Sequence, residues 1–302
     1  MRWAGPLEDE RFARIRFENE GHVYFIDDRR APQSGTGVLK DRFHFDPWAI
    51  VRKFYEKWAA DADSPYFQTI ADHYDEHGNG HLDAMAAIVD GWAAKGELAA
   101  PAGTAMHADI ENYAQGKYDY VLDPGVDFSP ELRQYVAVAA TLGAQGWTVV
   151  GVEVLIFYEM QDAVDDGLII FAGAIDMLLR HADTGQYRMI DHKRVPRKKG
   201  KLLGAEFGRP WPFEMAGAPF DALGNNSSHK YAAQLNLYAY ALKHRYGIDC
   251  DGRLDLLQMH EDLDRGHLIR VPDLRDSIAK LVDIEAARLR SHPEYASFCL
   301  KR

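Results

Sequence analysis

Two apolar, β-type runs, Phe171 to Arg180 and Gln186 to Lys193, flank the turn-forming Ala182-Asp183-Thr184-Gly185. That pattern constrains this part of the chain to an antiparallel hairpin. With the turn centred between Asp183 and Thr184, Asp176 lies directly across from Asp191. Lys193, two residues on from Asp191, points to the same face because strand side chains alternate. Carboxylate, carboxylate and ammonium therefore converge at one spot. A pair of Asp side chains plus a phosphate is enough to hold Mg2+, which keeps several of its waters. Such an ion polarises a phosphoryl oxygen and acidifies a bound water, and an ammonium beside it stabilises the negative charge that builds up. An isolated Asp-x-Lys, by contrast, is usually a solvated or ion-paired surface hairpin.

Other segments sharpen the reading. Upstream, Gly103-Thr104-Ala105-Met106-His107 leads into Asp109 and Glu111 on a stretch where Met106, Ile110, Tyr113 and Ala114 have helical spacing. His107 and Glu111, four apart, share a helix face. Downstream, Lys230 to Tyr246 reads as a second amphipathic helix, entered through the cap candidates Asn225-Asn226-Ser227-Ser228 and closed by Gly247, with Gln234 and Tyr238 on one face. G-x-x-x-H, G-x-x-D, D-x-K and Q-x-x-x-Y, in that order, resemble the RecB-like exonuclease branch of the PD-(D/E)XK nuclease superfamily. The match runs from about Gly103 to about His260, roughly half of the chain.

The resemblance implies an α/β fold: a mixed central β-sheet flanked by helices, the restriction-endonuclease-like core, with an N-terminal α/β extension. It implies His107 as a metal ligand, Asp176 and Asp191 as the metal carboxylates, Lys193 as the catalytic lysine, and Gln234 and Tyr238 as residues that position the lysine and the substrate strand. The peptide carbonyl of His192 is expected to face the metal. Asp191 stands where Glu is commoner, a substitution the family name allows. Glu153 interrupts the apolar run Gly151 to Phe157; related nucleases often carry a Glu there, and it is either an auxiliary metal ligand or an edge-facing residue. Glu111 reads as part of a solvated helix face.

At 302 residues and 47% hydrophobic, the chain can bury a full core. No apolar run approaches the ~20 residues of a membrane span, and Met1 to Pro6 is followed by charges rather than by a signal-peptide stretch. An intracellular protein is expected, cytoplasmic, nucleoid-associated or in a virus-infected host cell, with no membrane partner. Cys250 and Cys299 are too few for a disulfide scaffold or a four-cysteine iron–sulfur cluster. A G-x-x-x-x-G-K-[ST] phosphate loop is missing, which excludes ATP-driven helicase activity in this chain. The net charge of −11 is unfavourable for a nucleic-acid partner. It conceals a local excess directly after D-x-K: Arg194, Arg197, Lys198, Lys199 and Lys201, read as a substrate-binding loop.

Elsewhere, His22 to Ile26 and a segment around Thr36 to Leu39 read as strands about the turn Asp27-Asp28-Arg29-Arg30, and Phe43, Phe45 and Asp46 lead into a helix running to Trp58. This part resembles, more loosely, the amino-terminal region of some viral and phage members of the superfamily. Asp61 to Gly80 reads as an exposed connection, and Leu82 to Leu98 as a helix anchored by Trp92. The Gly-, Pro- and aromatic-rich segment from Gly200 to Ser228 is read either as a flap with Trp211 and Phe213 stacking on bases or as a loop packed on the core. Arg253 to His260 and His267 to Val271 form a further hairpin, and Leu274 to Leu289 a closing helix. The domain expectation is an extension over 1–100 and a nuclease core over 101–302. The expected function is an Mg2+- or Mn2+-dependent deoxyribonuclease, an exonuclease or flap-type enzyme acting on DNA ends or single strands with water as nucleophile. The alternatives are a catalytically inert nucleic-acid-binding module of the same fold, or an iron-dependent oxygenase built on His107-Ala108-Asp109 with His229 or His244.

Overall fold

A computed structural model of the chain describes residues 10–74, 80–117, 129–160, 167–197, 200–207 and 214–300. The protein is mixed α/β. Its main sheet has five strands in the order β4 (Trp147–Met160), β5 (Leu168–His181), β6 (Tyr187–Arg194), β7 (Leu254–Met259), β8 (His267–Arg270). All neighbours are antiparallel except β6 and β7, which run parallel. A parallel pair needs a crossover, and the link from β6 to β7 carries α6 (Ser227–Ala241), which continues into a π-helical turn, Leu242–Tyr246, and stops at Gly247 with φ +72°. The β5–β6 hairpin has the register expected from the sequence: Met177 pairs with Ile190 and Leu178 with Met189.

Both faces of the sheet are covered, so the middle strands read as apolar runs rather than as alternating patterns. One face packs Leu178, Met189, Leu254 and Leu256 against Leu235, Leu237 and Ala241 of α6 and Ile278, Leu281 and Val282 of α7 (Arg275–Arg290). The other packs Met177, Leu179, Ile190 and Leu257 against Leu132, Tyr135 and Leu142 of α5 (Pro130–Ala144) and Met106 and Ile110 further upstream. Each fully buried Leu, Ile or Phe in these layers contributes about 1.5–3 kcal/mol. The charges taken inside are paired: Asp255 accepts from Arg188 at 2.8 Å and Arg270 at 2.9 Å, and Arg245 lies 2.6 Å from Glu159.

A small antiparallel sheet, β1 (Ile15–Glu18), β2 (Val23–Ile26) and β3 (Arg29–Arg30), packs Ile15, Tyr24 and Ile26 with Phe157, Ile169 and Ala172 of the main sheet. Asp27 and Asp28 form its tight turn with φ of +47° and +64°, a conformation that Asp tolerates better than most residues. The strand expected around Thr36 to Leu39 is instead helix α1 (Gly35–Lys40). Ser34 caps it, its Oγ accepting from the Gly37 amide at 3.1 Å, and Val38 and Leu39 are buried. Capping and burial outweigh the poor helix propensity of Gly-Thr-Gly-Val.

The chain divides into two compact units, one formed by Met1–His44 together with Met106–Arg302, the other by Phe45–Ala105. This replaces the expected boundary at 100/101, because the small sheet and α1 pack on the main sheet rather than forming part of an extension. The second unit holds α2 (Pro47–Ala59), capped by Asp46, α3 (Phe67–Ala71) and the first part of α4 (His81–Ala114) around Val51, Tyr55, Ile70 and Ile88. Trp92 donates to Tyr66 Oη at 3.0 Å there. Asp61 to Gly80 is therefore not only an exposed connection, since α3 lies within it and buries Ile70. Nor is the helix broken near Gly103: α4 runs through Pro101, because the surrounding alanines favour helix strongly enough to absorb one lost hydrogen bond. No helix among the described residues is long and apolar enough to cross a membrane.

Candidate metal centre

The β5–β6 ladder ends at Met177 and Ile190, one residue short of Asp176 and Asp191. There a side chain takes over from the backbone: Asp176 Oδ2 accepts the His192 amide at 2.7 Å. The carboxylate is thereby fixed where the β5–β6 ladder ends. On the neighbouring strand, Val152 pairs with Met177 and Val154 with Ile175, leaving Glu153 opposite Asp176 with φ +48°. α4 supplies His107, whose Nδ1 lies 3.5 Å from Glu153 Oε1 and 3.6 Å from Asp176 Oδ2.

Lys193 Nζ lies 2.6 Å from Asp191 Oδ2. The two charges touch, yet among the described residues that oxygen has no hydrogen bond of good geometry. The ring over the ammonium belongs to Tyr231, 4.9 Å from Nζ to the centroid. Tyr238, four residues on from Gln234 in α6, wedges between α1 and β5. A Cβ at Gly173 would come within 2.6 Å of Tyr238 Oη, and one at Gly35 within 2.3 Å of its Cε1. The glycine of G-x-x-D thus has a mechanical cause: no side chain fits beside that phenol. Tyr231, three residues before Gln234, and Gly35 are site residues that sequence reasoning missed. The i, i+3, i+7 spacing of Tyr231, Gln234 and Tyr238 was the available signal for the first.

Burial dominates the electrostatics. It pushes the Asp191 carboxyl up to about 6, with Lys193 pulling down and Asp176 pushing up. Asp176 is also raised, first by burial and then by Glu153, against His107 and Lys193. Burial opposes the charge on Lys193, but the Asp191 and Asp176 carboxylates outweigh it and hold the ammonium well above its ordinary value. Burial likewise opposes protonation of His107, and its hydrogen bond to Glu153 and the Asp176 charge reverse the balance. Tyr24 is pushed up to about 12 by burial, then by Glu153 and Asp176.

Ligand atoms of His107, Asp176 and His192 lie within 4.8 Å of one another, the group among the described residues that could hold an ion. Asp191 flanks it, engaged by Lys193. The sequence expectation placed the His192 peptide carbonyl at the metal; the geometry offers its imidazole, which burial keeps neutral. The donors fit a divalent cation: ionisable carboxylates, neutral or displaceable-proton imidazoles, and a carboxylate oxygen lacking a well-directed donor.

Of the basic loop, Arg194 donates to Glu131 at 2.8 Å and Glu261 at 2.9 Å, and Arg197 to Asp264 at 3.2 Å. These two are committed to acidic partners rather than presented to a phosphate backbone, while Lys201 is exposed. Lys198, Lys199, Trp211 and Phe213 lie outside the described residues. Glu111 accepts from Gln115 at 3.0 Å. The oxygenase alternative loses its geometry: His107 and Asp109 are both on α4, two residues apart and hence on different faces, and Asp109 lies 3.5 Å from Ser129 Oγ.

No family model matches the chain, and no curated protein matches it. A solved protein described as "Crystal structure of SSO0001" is similar at 13% identity, with a TM-score of 0.28, over 54% of this chain and 61% of that one. A likeness that weak carries no argument about function.

Proposed function

We propose that this protein is a divalent-metal-dependent nuclease of the PD-(D/E)XK type that hydrolyses phosphodiester bonds in DNA. The observation that carries the reading is the meeting of His107, Glu153, Asp176, Asp191 and Lys193, from a helix and three strands, at the end of the β5–β6 ladder. A surface hairpin with a chance Asp-x-Lys would not bury both carboxylates or recruit a histidine from a distant helix.

His107, Asp176 and Asp191, with Glu153 beside them, would hold the cation, which supplies Lewis-acid activation of a phosphate oxygen and of a water. Lys193 enters as an ammonium, since its carboxylate neighbours hold it charged. It therefore donates to the phosphate oxygen that gains negative charge and does not serve as the base. Tyr231 and Asp191 restrict its swing, so the positive charge is in place before the reaction rather than reorganised during it. Tyr238 braces β5 at Gly173, which sets the position of Asp176 three residues on.

The test is cleavage of labelled single-stranded, duplex and circular DNA with Mg2+ or Mn2+, beside Asp191→Ala and Lys193→Ala. Metal-dependent cleavage, reduced by a factor of at least about a hundred in each variant, is the expected result. Survival of the circle beside a digested linear form would make it an exonuclease. Binding without cleavage, unaltered by either substitution, would leave an inert nucleic-acid-binding module in its place.

A further inference from the structure

His192 is 1% exposed, and neither of its ring nitrogens has a hydrogen-bond partner among the described residues. A buried polar group left unsatisfied costs about 1–3 kcal/mol, so an unpartnered buried imidazole calls for a reason. The ring is not loose: Tyr135 meets it edge-on at 5.7 Å between centroids, and His107 lies at 5.9 Å. Its amide is tied to Asp176. Alternation along β6 sends it away from Asp191 and Lys193, to the face lined by α5 and by Met106 and Ile110. His107 comes from that same stretch of α4, so Asp176, where the β5–β6 ladder ends, is approached by both imidazoles.

We propose that the side chain of His192 is itself a cation ligand, completing with His107 and Asp176 a centre of two imidazoles and one carboxylate that holds a first-row transition-metal ion, Mn2+ included, more tightly than Mg2+. The ligand atoms already lie within 4.8 Å of one another. An ion with bonds of about 2.1 Å seats opposite ligands about 4.2 Å apart, so movements of well under about 1 Å close the site. Mg2+ favours oxygen and gives up its water reluctantly, so two imidazoles gain it little; transition-metal ions accept imidazole more readily, Mn2+ least among them and the later first-row metals most. Filling the site would also give the orphaned nitrogens of His192 their partner. The inference builds on the metal reading of the site but not on any cleavage activity.

Electron paramagnetic resonance of Mn2+ titrated into the full chain, with Mg2+ as competitor, tests it. His192→Asn is expected to weaken Mn2+ by about tenfold or more while leaving Mg2+ nearly unchanged, so that the preference narrows. A merely structural role would weaken both ions together or neither, and either result overturns the proposal. Should the variant fail to fold, electron spin-echo modulation on the wild-type Mn2+ complex decides. Two coordinated imidazole nitrogens support His192 as a ligand, and one overturns it. If Asp176→Asn and Asp191→Ala abolish Mn2+ binding while His192→Asn does not, this inference falls and the nuclease reading stands.

Discussion

A carboxylate as deeply placed as that of Asp191 ionises at a cost, and its pKa of about 6 against 3.8 in the open chain makes that cost a property of the whole fold. Because the folded value is the higher one, the protonated carboxyl contributes stability in full below about pH 4, and the contribution is lost as the pH rises through about 6. Asp27 and Asp249 act with the opposite sign. Hydrogen bonds from Arg14 and Lys243 hold them below the ordinary carboxylate range, so their stabilising effect disappears only at more acid pH. The two windows separate. In chelator-treated protein the melting temperature is expected to fall between about pH 4.5 and 6.5, and Asp191→Asn, which cannot ionise, should flatten that slope. Parallel slopes for the two proteins would show that Asp191 does not titrate there. A bound divalent cation competes for the ionised form, so added Mn2+ should stabilise the wild type progressively more as the pH rises through the same window.

At the scale of the strand, β4 is bent to a purpose. Its register with β5 shifts between Val149 and Gly151, and Glu153 then adopts φ +48°, a region that costs a residue with a Cβ about 1 kcal/mol. The distortion brings Glu153 to 3.5 Å from His107. Glu153→Gly should therefore melt later than Glu153→Ala, by about 1 kcal/mol, because glycine accepts that φ freely. Both variants should lose cation affinity to the same extent. Equal stability of the two in denaturant melts would mean the backbone there is unstrained. Elements of this kind are also where the sequence was least legible. The β5–β6 hairpin could be read because a period of two and a turn of fixed length determine which side chains face each other, and Asp176, Asp191 and Lys193 follow from that alone. The register shift between Val149 and Gly151 that precedes Glu153 and the helix α1 in place of a strand depend on packing partners far along the chain. The His192 imidazole was overlooked for a related reason. Strand alternation points it away from Asp191, and only the arrival of α4 gives that far face a second histidine.

The molecule as a whole carries a net charge of −11, and several of its arginines are spent on its own buried acids. Glu285 takes Arg42 at 3.2 Å and Arg288 at 2.8 Å; Asp255 takes Arg188 and Arg270; Glu131, almost wholly buried, takes Arg194. Removing Arg194 would strand a buried carboxylate, so Arg194→Ala belongs among stability variants, costing roughly 3 kcal/mol or more. Each phosphate neutralised on a single strand contributes only about 0.7 to the salt slope. If about three cations, Lys201 among them, reach the strand, log K against log salt should fall with a slope of about −2. Had the full run Arg194, Arg197, Lys198, Lys199 and Lys201 faced phosphate, the slope would be about −3.5 or steeper. Fluorescence anisotropy of a labelled single strand with the Lys193→Ala protein, over a range of KCl at fixed Mn2+, separates the two. On the shallow slope, strand affinity rests mainly on the cation at the carboxylates, and chelation should weaken binding more than a severalfold rise in salt does. The steep slope would restore the basic loop as the principal grip on nucleic acid.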